Sequence, residues 1–520
     1  MQTISELLVA RATDSEHRVF LSFKGKNTTY AQLLQGVTEF AGALAAAGVI
    51  GGSRVGFLLP PSLEHMELYL ASAWLGATAV PFSIHMKAAG VELQLNSSQP
   101  LVLIASRAHA DAVRLALTGV ERKPKLIIWF EDGVDHDNEV SLESLLRKSS
   151  SILVPSTRSL DEALAINYTS GTTGAPKGAV LSERFYWVGA KNAGILSDAQ
   201  RDDTYFMWEP FYHVAAWMTV FMALQNGFRI HMVERFSASK LWDQISEAQA
   251  TKFHYLGGLV NIILAQPVTA SERNNTVSIA WGAACPADSW RRFEERFDLK
   301  VREGYGLSEG QNFTHINVEG VVGSIGKPIE EIESWIADES GNPAPPDVTG
   351  ELVLKLKVPK ICMTGYFGEP NKTADVLRTD GCVYTGDLAS QDENGNYYFK
   401  GRKKDALRRR GENVSAWEVE RVINAAPGVE ESAVMGVASP LGEQEIFAAI
   451  KLRDGIQPDA LSIAKFCNER LAYYQVPRYI QFVDDFPRGP TQRIKKGEIT
   501  PDLSIAWDGD EAGFKPMRTV

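Results

Sequence analysis

The sequence predicts an α/β protein: a large N-terminal domain of mostly parallel sheets that carries a β-barrel-like subdomain, over residues 1–403, and a small α+β domain over 404–520. Three observations carry that reading. At 520 residues the chain is too long for one hydrophobic core, so it divides into at least two domains. Short apolar runs alternate with segments whose apolar residues recur at helical spacing, the pattern of helices laid over a parallel sheet. Past residue 341 this alternation gives way to turn-rich β pattern, and a charged stretch after Arg402 sets off a last segment.

The elements follow in order. Residues 53–60 read as a buried strand, and the Pro60-Pro61 break leads through a capping Ser62 into a helix. Strands at 101–105 and 125–130 flank a helix at 108–117, and apolar residues at 164–166 and 179–181 suggest two further strands around a glycine-rich loop. Turns from Gly341 precede the strand that begins at Glu351. After residue 410 the pattern predicts a helix at 415–425, strands at 431–437 and 446–452, a helix at 463–471 and a strand at 479–483. Residues 508–520 read as a loose tail.

Composition narrows the function classes. With 44% hydrophobic and 22% charged residues the chain is an ordinary soluble globular protein. A net charge of −11 leaves no basic face to neutralise phosphates in bulk, which argues against a nucleic-acid partner. Cys285, Cys362, Cys382 and Cys467 form no Cys-x-x-Cys pair, so neither a zinc site nor a disulfide framework is indicated, and a reducing cytoplasm is the natural setting. Charges throughout residues 1–19 exclude a signal-peptide core, and the apolar run at 40–50 is too short to span a bilayer. Oligomeric state is left open, a homo-oligomer included.

Residues 166–180 carry the most chemistry. The hydroxyls of Thr169, Ser170, Thr172 and Thr173 and the glycines Gly171, Gly174 and Gly178 let side-chain oxygens and backbone N–H groups converge on an anion, while Lys177 adds a point charge. It is not a Walker loop, because Pro176 precedes the lysine and Gly178 follows it. A polyphosphate is the ligand such a loop suits.

The run Tyr168-Thr-Ser-Gly-Thr-Thr-Gly-Ala-Pro-Lys177-Gly resembles the phosphate-binding signature of the adenylate-forming superfamily, which contains acyl-CoA synthetases, peptide-synthetase adenylation domains and firefly-type luciferases. Gly282-Ala283-Ala284 is similar to that family's adenine loop, and Tyr305-Gly306-Leu307-Ser308-Glu309 to its aromatic-Gly-x-Ser/Thr-Glu motif. Tyr384-Thr385-Gly386-Asp387 and Gly401-Arg402-Lys403-Lys404-Asp405 match the ribose-binding and hinge motifs, in the same order.

The resemblance implies a large AMP- and acyl-binding domain over 1–403 and a mobile small domain hinged near Lys404. It implies ATP, or AMP as the acyl-adenylate, with Mg2+ on Glu309, Tyr305 near the adenine beside Gly306 and Ser308, and Asp387 and Arg402 on the ribose. Attack of an acid oxygen on the α-phosphate builds charge that Lys177 and the loop would meet. Coenzyme A would then meet the segment Arg408-Arg409-Arg410-Gly411-Glu412, Gly411 leaving room for the pantetheine arm and the arginines facing phosphates.

His213 resembles the aromatic or histidine gate near the acyl pocket. Trp208, Phe211 and Tyr212 beside it, with Gly257-Gly258 further on, favour a bulky apolar acid, and the absence of a nearby aspartate weakens an amino-acid substrate. The segment from Arg408 to Glu420 looks most like the carnitine/crotonobetaine-CoA ligase group and its relatives in bacterial secondary metabolism.

One position departs from the family. In the C-terminal motif from Pro487 to Lys496, Arg493 holds the place of the adenylating lysine, and a planar guanidinium does not simply replace a compact ammonium. Either Arg493, Lys495 or Lys496 substitutes and the chain is a complete ATP-dependent synthetase, or it mainly ligates an acyl-adenylate supplied by a partner enzyme, like the non-adenylating ligases of diterpenoid antibiotic pathways. A non-catalytic AMP- or acyl-CoA-binding protein and a luciferase-like oxygenase are the remaining classes.

Overall fold

The computed structural model describes residues 1–133, 138–169, 177–257, 259–378, 381–403, 406–409, 412–438, 444–457, 459–489 and 494–516. The chain forms two compact units, one of residues 1–169, 176–333 and 354–383, the other of 170–175, 334–353 and 384–520.

Among the described residues the first unit holds two large sheets whose central strands are parallel. One runs, from edge to edge, Lys327–Pro328, Gln311–Asn317, Lys300–Leu307, Ile279–Ala283, Lys252–Leu256, Thr204–Met207, Arg229–Met232, Val19–Phe23 and Lys26–Thr29. It is parallel from Lys300–Leu307 to Val19–Phe23 and antiparallel at both margins. The other runs Gly365–Tyr366, Lys177–Ser182, Ala163–Thr169, Thr78–Pro81, Arg54–Leu58, Val102–Ala105, Leu126–Trp129 and Glu139–Ser141. Here the antiparallel pairs are those that Lys177–Ser182 makes on its two sides.

The apolar periodicity decides which faces meet. Ser62 caps the helix Leu63–Trp74, its Oγ accepting from the His65 N–H at 3.1 Å. That helix buries Met66, Leu68, Tyr69, Leu70 and Trp74 against the helices Tyr30–Ala46, Glu183–Ser197 and Val214–Asn226 in one core shared by both sheets. Tyr69 stacks on Trp217 with ring centroids 3.4 Å apart. Deep in this unit Arg158 Nε lies 3.0 Å from Glu183 Oε2, the two side chains 1% and 0% exposed. Arg158 also donates to the carbonyls of Ala73 and Ala163, and Glu183 accepts from the Ile4 N–H. One ion pair thereby ties the N-terminal helix Ile4–Asp14, a central strand and a core helix.

The β structure expected after residue 341 is a four-stranded sheet of Ile332–Ala337, Gly350–Leu356, Cys382–Gln391 and Tyr397–Arg402. The C-terminal elements match their predicted order: the helix Ala416–Asn424 capped by Ser415, the strands Val429–Ala438 and Gln444–Leu452, the helix Ala460–Asn468 and the strand Tyr479–Phe482. The tail departs from expectation. Trp507–Asp508 adds a strand beside Tyr479–Phe482, the Asp508 carboxylate takes a two-pronged bond from Arg478, and Phe514 packs near Trp507. Terminal position alone suggests a loose end, but the ring contact and the bidentate pair hold residues 507–514, and 517–520 lie outside the described residues.

Removing one partner of a buried pair leaves an uncompensated charge. Arg158→Leu is therefore expected to lower the unfolding free energy of the first unit by about 3–5 kcal/mol in urea titrations. A loss under about 1 kcal/mol would mean that the pair is not what joins these elements.

Candidate active site

In the nine-stranded sheet, Thr204–Met207, Lys252–Leu256, Ile279–Ala283 and Lys300–Leu307 are consecutive parallel neighbours, so their carboxyl ends lie side by side. Open parallel sheets bind ligands at that edge. Trp208 to His213 follow the first strand, Gly257 the second, Ala284 the third, and Ser308 and Glu309 the fourth.

The loop at 282–285 is shaped by close approach. A Cβ on Gly282 would stand 1.9 Å from the Tyr255 carbonyl oxygen, so no side chain fits there. Ala284 takes a left-handed backbone with φ of 68°, unusual for a residue with a Cβ. It is held by Glu303, whose carboxylate accepts from the Ala284 N–H, from the Cys285 N–H at 3.0 Å and from the Tyr255 hydroxyl at 2.5 Å. Burial pushes the Glu303 carboxyl up to about 8, and its three donors offset part of that cost. Two residues on, Tyr305 is buried, and Gly306 sits at a register shift in the hairpin with Gln311–Asn317, where a Cβ would meet the Asn312 carbonyl at 1.9 Å.

Glu309 follows on the turn of that hairpin. Its carbonyl accepts from the Met363 N–H at 3.2 Å, and its Oε1 accepts from the Tyr366 hydroxyl at 2.7 Å. Lys177, the first residue of Lys177–Ser182, places its Nζ 4.9 Å from the centroid of the same Tyr366 ring. The structure thus brings the predicted cation and the predicted carboxylate to one tyrosine. Thr169 closes the preceding strand opposite Lys177, its side chain outside the described residues, as are Ser170, Gly171, Thr172, Thr173 and Gly174.

The aromatic segment is fixed from behind by a buried pair. Glu209 Oε1 bonds His254 Nδ1, Glu209 Oε2 accepts from the Trp208 N–H at 3.1 Å, and the Trp208 indole donates to the His254 carbonyl at 2.8 Å. His213 begins the helix Val214–Asn226 against the Tyr212 ring, and burial pushes its imidazole down to about 4 despite nearby Glu209, so it is neutral at pH 7. Trp208 and Tyr212 are half-buried. Phe211 goes elsewhere than expected. It packs 5.0 Å from His65 and 4.9 Å from Trp217 in the shared core, because the helix start at His213 turns it inward. Gly257 has φ of 49° and open space around it, and Gly258 lies outside the described residues.

In the second unit Asp387 and Arg402 face each other across an antiparallel pair, Arg402 Nε 2.7 Å from Asp387 Oδ1. Thr385 and Glu351 hold the turn before Asp387, and Lys403 pairs with Glu351 at 2.6 Å. Arg409 is corrected from the predicted coenzyme-A set. Only 3% of its side chain is exposed; its guanidinium pairs with Glu445 and donates to the carbonyls of Tyr474 and Val476, so it anchors the fold. The side chains of Arg408 and Glu412, and Arg410, Gly411, Lys404 and Arg493 entirely, lie outside the described residues. Lys495 pairs with Glu498 and Lys496 with Glu420.

Sequence reasoning missed Tyr366, Glu303 and the Glu209–His254 pair as a unit. A signal existed for Glu303, an acid two residues before Tyr305 on the same strand face. None existed for Tyr366, which reaches Glu309 only through the pairing of Gly365–Tyr366 with Lys177–Ser182.

The chain matches the model of the AMP-binding enzyme family over residues 8–367 and that of the AMP-binding enzyme C-terminal domain over 418–493. It is 30% identical to a feruloyl-CoA synthase of Amycolatopsis sp over 499 residues, 94% of this chain and 97% of that protein. It is 27% identical to a crotonobetaine/carnitine–CoA ligase of Salmonella paratyphi A over 503 residues, 94% of this chain and 96% of that one. Among solved structures it is similar to the anthranilate CoA ligase AuaEII in complex with anthranoyl-AMP, with a TM-score of 0.86, 24% identity, and 95% and 96% of the two chains covered.

The fold prefers protonated Glu303, since its folded pKa lies above the ordinary 4.5. The stability it contributes is complete below pH 4.5 and is lost as pH rises through about 8. Relative to wild type, Glu303→Gln is therefore expected to gain in melting temperature as pH rises between those values, while the shares of Glu67 and Glu183, which burial also raises, and the opposite share of His213 stay common to both proteins. Parallel melting profiles for the two proteins would refute the buried acid.

Proposed function

The chain belongs to the AMP-binding enzyme family, and from that premise we propose that it is an acyl-CoA ligase joining a bulky carboxylic acid to coenzyme A through an acyl-adenylate. The coarse activity is acid–thiol ligation: relatives that span nearly the whole chain are named for different acids but share the CoA thioester. The observation that supports the reading most is the meeting of Lys177 and Glu309 at Tyr366. A cation for phosphate oxygens and a carboxylate for their counterion are the two charges an ATP-dependent step needs in one place.

The residues suit a magnesium ion. Magnesium is bound through one or two carboxylates, with phosphate oxygens and water completing its shell, and Glu309 is such a carboxylate, oriented by a hydroxyl. When bound, the ion supplies charge neutralisation on the phosphates. Lys177 adds its charge to theirs. Gly282, Ala283 and Ala284 offer a flat backbone edge for the adenine with Tyr305 near it, and Asp387, steadied by Arg402, accepts hydroxyl hydrogens from the ribose. Neutral His213 borders the acid between Trp208 and Tyr212, where an imidazolium would instead trap the carboxylate. Arg408, Arg410, Gly411 and Glu412 are assigned to coenzyme A, with Lys404 as the hinge between the two half-reactions; Arg409 is left out. A cytoplasmic setting fits four free, buried cysteines.

Adenylation is the weaker half on this reading. Lys495 and Lys496 are engaged with Glu498 and Glu420, so neither replaces the missing lysine without breaking a pair, and Arg493 must serve. Loss of one well-placed contact costs about 10²–10³ in rate. The second reading, a complete synthetase, is favoured by the match of both domains to relatives named as CoA synthase or ligase.

Two assays separate them. Presynthesised acyl-adenylates with coenzyme A are expected to give rapid thioester formation, while carboxylate-dependent ATP–pyrophosphate exchange is slow and rises about 10²-fold in Arg493→Lys. Fast exchange that the substitution leaves unchanged would establish the complete synthetase. Thioester from no adenylate in a panel of bulky acids would overturn the ligase reading.

A further inference from the structure

We propose that Tyr366 is the positioning residue of the polyphosphate end of the site: its ring seats the Lys177 ammonium and its hydroxyl orients the Glu309 carboxylate. The inference rests on the adenylate-forming reading and adds to it a residue outside every motif discussed above.

The geometry carries it. Lys177 Nζ stands 4.9 Å from the ring centroid, within the range of a cation–π contact. The hydroxyl donates to Glu309 Oε1 at 2.7 Å, the length of a charge-assisted bond. The tyrosine is itself rigidly placed. It is 6% exposed, its N–H donates to Thr373 Oγ1 at 2.9 Å, and its strand pairs with Ala179 and Val180. Met363, three residues earlier, bonds the Glu309 carbonyl, so the 363–366 segment fixes the carboxylate by main chain and side chain alike.

The consequence is electrostatic. A lysine and a glutamate left to approach each other would pair, and a triphosphate would have to break that pair before using either charge. The tyrosine ring meets the ammonium and its phenol holds one carboxylate oxygen, so a single side chain places both groups.

The two contacts separate by substitution, because phenylalanine keeps the ring and loses the hydroxyl, whereas leucine loses both. The readouts are calorimetric ATP binding to the full chain with and without magnesium, and the rate at which an amine-reactive reagent labels Lys177, followed by peptide mapping. Tyr366→Phe is expected to keep magnesium-free ATP affinity and the Lys177 labelling rate, and to lose about 10-fold of the gain in affinity that magnesium brings. Tyr366→Leu is expected in addition to speed Lys177 labelling and to weaken magnesium-free binding by about 3-fold. An unchanged magnesium gain in the phenylalanine variant, or an unchanged labelling rate in the leucine variant, would overturn the proposal. Wild-type protein that binds no ATP would instead overturn the adenylate-forming reading, and labelling would still decide the Lys177 half. Should the leucine variant fail to fold, the isosteric phenylalanine variant decides the Glu309 half alone.

Discussion

Parallel pairing of four consecutive strands is the constraint on which the first unit's chemistry depends. Because Thr204–Met207, Lys252–Leu256, Ile279–Ala283 and Lys300–Leu307 run the same way in register, everything that follows each strand emerges on one edge. No helix needs to aim a side chain there. Backbone hydrogen bonds, each modest in net energy but collectively obligatory in a buried sheet, set the spacing between the loop at 282–285, the aromatic segment and Glu309. The glycines at 282 and 306 are the visible cost of this closeness, since each stands where a Cβ would overlap a carbonyl oxygen.

Buried acids do a second kind of work. Glu303 and the Glu209–His254 pair are each shut away from water, and each binds backbone N–H groups of a loop that faces the site. An acid placed so is expensive to ionise, which is why burial lifts Glu303 into the neutral range. What the expense secures is loop geometry: Ala284 is held left-handed and Trp208 is gripped at both its main chain and its indole. Arg158 and Glu183 likewise sit away from water, and they hold a helix start, the opening of a strand and a core helix together.

The sequence made elements legible where local chemistry decides them, and left unread whatever depends on distant contact. Ser62 before an apolar period of 3.6 announces a helix, and the two short runs around 170–176 announce two strands, which pair antiparallel. Asp387 and Arg402 are legible singly, through the motifs that place each on the ribose, whereas their mutual ion pair comes from the antiparallel strands that carry them. Arg409 was misread because three adjacent arginines look alike in sequence, whereas alternation along a strand sends successive side chains to opposite faces. Its neighbours' numbers said nothing of Glu445, which arrives from another strand. Phe211 was misread for a related reason: an aromatic cluster carries no mark of which ring faces the core. Tyr366 carried no signal at all, for its partner Glu309 belongs to the other sheet.

The separation of the site's charges bears on the departure at Arg493. On the proposed reading Lys177 and Glu309 act on the phosphate chain, and the tyrosine they share belongs with them to the first unit. A ligase that has lost the compact ammonium there keeps every group needed to hold a nucleotide and an acyl-adenylate. What it loses is one cation aimed at charge that develops only while the phosphoryl bond is being exchanged. Thioester formation develops charge at the acyl carbonyl instead, after pyrophosphate has gone, and draws nothing from that cation. On the proposed reading, substitution at this single position is expected to weaken one half-reaction and spare the other, and the intact nucleotide motifs are as necessary to a ligating half-enzyme as to a complete one, because both must grip the AMP moiety of the same intermediate.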